Sequence, residues 1–198
     1  MALAVVLLMG ASASISAPAH AAPSKDRYAI GDSVMLGART ALKDTGFRVD
    51  ATESRQSYAG PSLVRKKGST LPENVVIHLG TNGSFPLSTC KSIVRAAGPD
   101  RRVFLVTIFV PRSWQDPNNA VIRQCDRAFA ADRVHVIDWN GAASRHRSWF
   151  YSDRIHLKPE GGRAFARLLD DSVNNAVRNA RSDALAKASG TGTARLEG

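Results

Sequence analysis

Two hydrophobic periods alternate along the chain. Tyr28-Ala29-Ile30 is a short apolar run that predicts a first strand, and Phe47-Arg48-Val49-Asp50-Ala51 alternates as a second. Asn74-Val75-Val76-Ile77-His78-Leu79 is nearly continuous in apolar residues, as is the stretch 103–110, which Pro111 is expected to end. Such unbroken runs suit strands covered on both faces. Val134-His135-Val136-Ile137 supplies a fifth. Between these runs the spacing turns helical. Met35, Ala38 and Leu42 predict a helix that Gly46 stops; 62–67 reads as a short helix within a polar, glycine-containing stretch. Residues 87–97 form a helix stopped by Gly98-Pro99, and 118–131 another, with Val121, Ile122, Cys125 and Phe129 on one side. A last helix follows Glu160-Gly161-Gly162, with Phe165, Leu168, Leu169 and Val173 in its apolar stripe.

Strands alternating with helices predict an α/β fold: a three-layer α/β/α sandwich with a five-stranded parallel sheet and right-handed crossovers. Ligands bind such sheets beyond the carboxyl ends of the strands. Gly31-Asp32-Ser33, Gly80-Thr81-Asn82-Gly83 and Asp138-Trp139 all follow predicted strands, so they are expected to converge on one edge.

Length limits this to one domain, because 198 residues are too few for two of ordinary size. Residues 1–21 carry no Lys, Arg, Asp or Glu, hold the run Ala4-Val5-Val6-Leu7-Leu8-Met9 and end in Ala19-His20-Ala21. This pattern reads as a secretory signal peptide cleaved after Ala21, and its apolar part is shorter than the roughly 20 residues a membrane-spanning helix needs. The globular domain is expected over 22–181, followed by a polar, small-residue tail at 182–198 expected to be disordered. The predicted location is extracytoplasmic, in the cell envelope.

The net charge of +10 invites an anionic partner such as a cell-wall polymer. The basic residues are scattered without interleaved aromatics, which argues against nucleic acid. Cys90 and Cys125 are the only cysteines, and an even count in an exported chain favours one disulfide closing a loop of roughly 35 residues.

Ser33 stands at a strand-to-helix turn, where a hydroxyl can be exposed at the sheet edge and helix N–H groups favour negative charge. That placement suits a nucleophile whose reaction creates an oxyanion, although serine is also a common helix cap. Asp153-x-x-His156 can supply a base and the group that orients it. Ser33 N–H and the Asn82 side-chain amide are the candidate oxyanion donors, with a third from Gly60 or a backbone N–H near Arg55. His78, His135 and His146 read as structural. No spacing resembles a metal site, no glycine loop cradles a phosphate, and no cofactor is expected.

These residues resemble the SGNH (GDSL-type) hydrolases. Gly31-Asp32-Ser33 matches the family's nucleophile block, Gly80-Thr81-Asn82 its asparagine block, and Asp153-x-x-His156 its closing block, in the family's order over roughly residues 27–178. The nearest likeness is to extracytoplasmic SGNH domains fused to membrane acyltransferases that O-acetylate cell-wall polymers, carried also by Ser54-Arg55-Gln56 and Asp138-Trp139. The resemblance implies that Ser33 is the nucleophile, His156 the base, Asp153 its orienter and Asn82 an oxyanion donor, while Asp32 shapes the turn. It implies a small acyl ester or O-acetylated glycan as substrate and a membrane acyl-donor partner. Two departures stand out: Arg154 replaces the usual glycine between the aspartate and histidine, and the separate glycine block has no clear counterpart. A catalytically idle, basic wall-binding module on the same fold is the competing expectation.

Overall fold

The computed structural model describes residues 27–193, in which the apolar runs form one parallel sheet. Its strands are β1 (Arg27–Gly31), β2 (Arg48–Ala51), β3 (Asn74–His78), β4 (Arg102–Val106) and β5 (Val134–Ile137), in the spatial order β2-β1-β3-β4-β5. Ile30 lies opposite Asp50 on one side and Ile77 on the other, and Ile77 opposite Leu105. From β1 the chain steps first to β2 and then back across to β3. The point where the strand order reverses therefore lies beyond the carboxyl ends of β1 and β3, where a doubly wound sheet opens a crevice. The expected signal peptide falls outside the described residues.

The helices are α1 (Ser33–Gly37), α2 (Arg39–Asp44), α3 (Gly60–Lys67), α4 (Leu87–Ala97), α5 (Gln115–Asp126), α6 (Trp139–Ala143) and α7 (Pro159–Thr193). Alternate strand residues divide the interior in two, as the pleat requires. Ala29, Val76 and Phe104 pack with Met35, Leu42, Trp139, Phe165 and Leu169 under α1, α2, α6 and α7. Ile30, Val75, Ile77 and Leu105 pack with Val64, Ile93 and Ile122 under α3, α4 and α5. Among the described residues no helix is long and apolar enough to cross a membrane.

Several elements differ from expectation. The helix expected through Met35, Ala38 and Leu42 is broken at Ala38, because α7 approaches there. A Cβ on Gly162 would lie 3.3 Å from the Gly37 carbonyl oxygen and 3.4 Å from Ala38 Cα. Strand β4 stops at Val106 rather than running to residue 110. Past Ile137 its neighbour offers no more ladder, and the Asn119 amide takes over by accepting from Ile108 N–H at 2.8 Å and donating to its carbonyl at 2.9 Å. Helix α5 spans Gln115–Asp126 rather than 118–131, and the five-residue α6, capped by Asp138, occupies a stretch that reads as irregular. The tail expected to be disordered from residue 182 instead continues α7 to Thr193. The reason is local: Ala184-Leu185-Ala186-Lys187-Ala188 are strong helix formers.

Cys90 of α4 and Cys125 of α5 form the disulfide, their Cα atoms 6.3 Å apart in the second core. The bond closes a sequence separation of 35 residues. Replacing both cysteines by alanine is expected to lower unfolding free energy by about 4 kcal/mol in the chain-entropy picture, read from denaturant titration. Non-reducing gels should show a mobility shift on reduction.

Candidate active site

Strand β1 delivers Gly31-Asp32-Ser33 to the sheet edge, and Ser33 opens α1. Asp32, fully buried, is the N-cap: its carboxylate accepts from Val34 N–H at 3.1 Å. Its other oxygen accepts from Thr81 N–H at 3.3 Å, which ties the serine turn to the loop after β3. Gly31 is needed because a Cβ there would lie 2.5 Å from the Met35 Cβ. His78, at the end of β3, is buried with Nδ1 3.5 Å from the Asp32 carboxylate and its ring edge-on to Phe165.

The segment before α7 folds back as a tight turn. Phe150 and Leu157 form an antiparallel bridge, Tyr151 N–H donates to the His156 carbonyl at 3.0 Å, and Lys158 N–H donates to the Trp149 carbonyl at 2.9 Å. Within it one Asp153 oxygen accepts from the N–H groups of Ile155 (2.9 Å) and His156 (3.0 Å). The other lies 2.7 Å from His156 Nδ1. His156 Nε2 in turn is 3.2 Å from Ser33 Oγ. A proton on Nδ1 satisfies both contacts, with the ring donating to Asp153 and accepting from Ser33. Desolvation alone would raise the Asp153 carboxyl. The hydrogen bonds from His156 and the two backbone N–H groups outweigh it and hold the group below the ordinary carboxylate range. Asp153 is therefore ionised at neutral pH.

Asn82 reaches the same place from the β3 loop. Its Nδ2 donates to the Arg55 carbonyl at 3.3 Å, which orients the amide and leaves its second N–H free. A cavity of about 420 Å³ is lined by Ser33, Glu53, Ser54, Asn82 and His156. A second, of about 600 Å³, shares Ser33, Glu53 and His156 with the first and is walled further by Leu36, Ala41, Tyr151, Leu157 and Arg163.

Thus Ser33, Asn82, Asp153 and His156 lie together, as the motif spacing suggests. Gly60 does not join them: it starts α3 against the second core, where a Cβ would lie 2.5 Å from the Ile93 side chain. Of the segment near Arg55, Ser54, with φ +56°, lines the smaller cavity. Asp138 and Trp139 also stay out of the site. Asp138 caps α6 and accepts from Thr107 Oγ1 at 3.0 Å, while Trp139 is buried beneath the Asp153 turn, against Phe150 and Phe165.

Sequence reading misses two residues that hold the Asn82 loop. Asn118 donates to the carbonyls of Gly80 (3.0 Å) and Gly83 (2.8 Å) and accepts from Phe85 N–H (2.8 Å). Trp114 Nε1 donates to the Thr81 carbonyl at 3.2 Å. Arg55 holds the neighbouring loop by donating to the Gly31 carbonyl at 3.1 Å and the Asp50 carboxylate at 2.7 Å. Among the described residues no group of three His, Cys, Asp or Glu could hold a metal ion.

Solved structures share this fold. A GDSL-like lipase of Bacteroides thetaiotaomicron superposes with TM-score 0.57 at 16% identity, covering 77% of this chain and 89% of that one. The C-terminal catalytic domain of Streptococcus pneumoniae peptidoglycan O-acetyltransferase A superposes with TM-score 0.64 at 24% identity, covering 79% and 94%. This chain has the fold of that GDSL-like lipase and of that acetyltransferase catalytic domain. Among its relatives by sequence is the protein of Bacillus subtilis named putative peptidoglycan O-acetyltransferase YrhL, 32% identical over 168 residues. That match covers 83% of this chain but 26% of the relative, so the chain spans about a quarter of the length of the curated relative. No protein-family model matches the sequence.

Two outcomes are expected. Asn118→Ala strands two carbonyls and an N–H and should cost about 2–3 kcal/mol in denaturant unfolding. Burial alone would raise the Asp50 carboxyl, but hydrogen bonding and charge from Arg55, with help from Tyr28 and Lys67, hold it below its ordinary value. A carboxyl lowered on folding stabilises the native state at neutral pH, and that contribution disappears as pH falls through the lowered value. Asp50→Asn should therefore lose stability at neutral pH and show a flatter acid limb than wild type in thermal melts.

Proposed function

We propose that this chain is an exported serine esterase or O-acyltransferase that works through an acyl-enzyme on Ser33. Its substrates are small acyl esters, acetyl above all, on cell-wall carbohydrate. The observation that carries the reading is the Asp153–His156–Ser33 relay, with contacts of 2.7 and 3.2 Å, ending beside Asn82 in one cavity.

In this reading His156 Nε2 takes the Ser33 proton as Oγ attacks the acyl carbonyl. Negative charge gathers on the former carbonyl oxygen, where Ser33 N–H and the free Asn82 N–H stabilise it. Asp153, ionised, supports the imidazolium that forms. His156 then hands its proton to the departing alcohol oxygen, leaving the acyl group esterified to Ser33. Water or a sugar hydroxyl, deprotonated by His156, attacks that ester and regenerates Ser33. Hydrolysis and transfer differ only in which hydroxyl attacks.

Because Asn82 lines only the smaller of the two cavities, the acyl carbonyl faces that side. The alcohol component then extends into the larger one, whose apolar floor and exposed Tyr151 suit a sugar ring. The named activities of the relatives, peptidoglycan O-acetylation among them, support cell-wall glycan as the substrate class and the envelope as the location. A membrane protein that supplies acyl groups fits as partner, since the matched relative is about four times as long as the matched part.

The test is turnover of a short-chain chromogenic ester together with labelling by a fluorophosphonate probe. Ser33→Ala should abolish labelling and lower turnover by at least about 10³-fold. Asn82→Ala should lower kcat by about 10²-fold or more with labelling slowed. Retained turnover by folded Ser33→Ala overturns the reading, and a wild-type protein that is never labelled points to the idle wall-binding module.

A further inference from the structure

Beside the site lies a second feature that the relay does not use. Arg147 and Lys158 line a separate cavity of about 480 Å³, together with Phe150 and Tyr151. Tyr151, 53% exposed, also walls the larger cavity that holds Ser33 and His156, so one residue borders both. Arg154 sits on the same turn. Its φ of +61° is left-handed, a conformation that glycine adopts freely and arginine does not. No ion pair among the described residues engages Arg147, Arg154 or Lys158, and all three are exposed.

Unpaired like charges repel one another, and an arginine in a left-handed turn adds backbone strain. The two nearby acids do not relieve them: Asp153 is engaged by His156, and Glu160 points to no partner in an ion pair. Unpaired cations at a cavity that borders the serine cavity through Tyr151 are complementary to an anion carried by the substrate.

Resting on the reading above, we infer that Arg147, Arg154 and Lys158 form a subsite for an anionic group, carboxylate or phosphate, borne by the same glycan strand that presents the acyl ester to Ser33. The subsite positions the strand and does no chemistry. The two cavities share only Tyr151, so the charge sits on a neighbouring unit or on a substituent, not on the acyl group.

The test uses the full chain carrying Ser33→Ala, so that nothing turns over. Calorimetric titration compares poly(glycerol phosphate), soluble muramic-acid-containing glycan, the same glycan with its carboxylates amidated, and a neutral chitin oligosaccharide. At least one anionic glycan is expected to bind about fivefold or more tighter than the neutral ones. That advantage should shrink as salt rises from about 50 to about 300 mM. The phosphate and carboxylate arms identify the source of the anion. Adding Arg147→Gln with Lys158→Gln should remove the preference. Arg154→Gly should weaken anionic binding severalfold without lowering Tm, since it relieves the left-handed strain. Arg65→Gln with Lys66→Gln removes the same two charges at the end of α3 and should leave binding within about twofold.

Equal binding of anionic and neutral glycans overturns the inference, and so does an equal loss from the α3 pair. Failure of the parent reading is seen elsewhere, as absent labelling and ester turnover in wild type, and does not decide this binding comparison.

Discussion

A buried carboxylate holds the two halves of the site in register. Asp32 accepts from Val34 N–H on the serine turn and from Thr81 N–H on the asparagine loop, so one side chain bridges the carboxyl ends of β1 and β3. Burying a carboxylate is expensive unless donors surround it. Here two backbone N–H groups, the start of α1 and the nearby His78 ring provide that environment. The strand order makes the bridge available, since β1 and β3 are neighbours only because the chain reverses direction across the sheet there.

The third member of the site arrives from the far end of the sequence and needs its own support. The Asp153 turn rests on an aromatic stack: Trp139 lies 5.7 Å from Trp149 and 5.0 Å, edge-on, from Phe165. Gly161 lets α7 start directly against this stack, for a Cβ there would lie 2.3 Å from the Trp149 carbonyl oxygen. Buried Arg27 pairs with Asp170 and Asn174 of α7, fastening the helix to the opposite end of β1. The position of His156 over Ser33 is thus set by packing on a helix clamped along its first half, as is needed where small misplacements are costly.

Much of this was legible in the sequence, for a physical reason. Residues that do chemistry in a doubly wound sheet stand directly after strands, and strands covered on both faces are long apolar runs. Ser33 and Asn82 are therefore marked by where Ile30 and Leu79 end. Asn118 and Trp114 were not legible, because their helix is dominated by the apolar spacing of Val121, Ile122 and Cys125, and nothing local shows that an amide there faces a loop about 35 residues earlier. The same limit hid the short α6, held by the Asp138 cap and by burial of Trp139 rather than by any periodicity. The extension of α7 reads as a tail because its residues are small and polar, yet alanine-rich segments need few contacts to stay helical.

The site draws its serine from the first described strand and its histidine from the entry to the last helix, 123 positions apart. During synthesis the hydroxyl thus leaves the ribosome long before its base, and the imidazole cannot settle until α7 has docked along Arg27 and Phe165. The Ser33–His156 contact is consequently missing from any unfinished or partly folded chain. The meeting of this hydroxyl and this imidazole is thus a readout of completed folding.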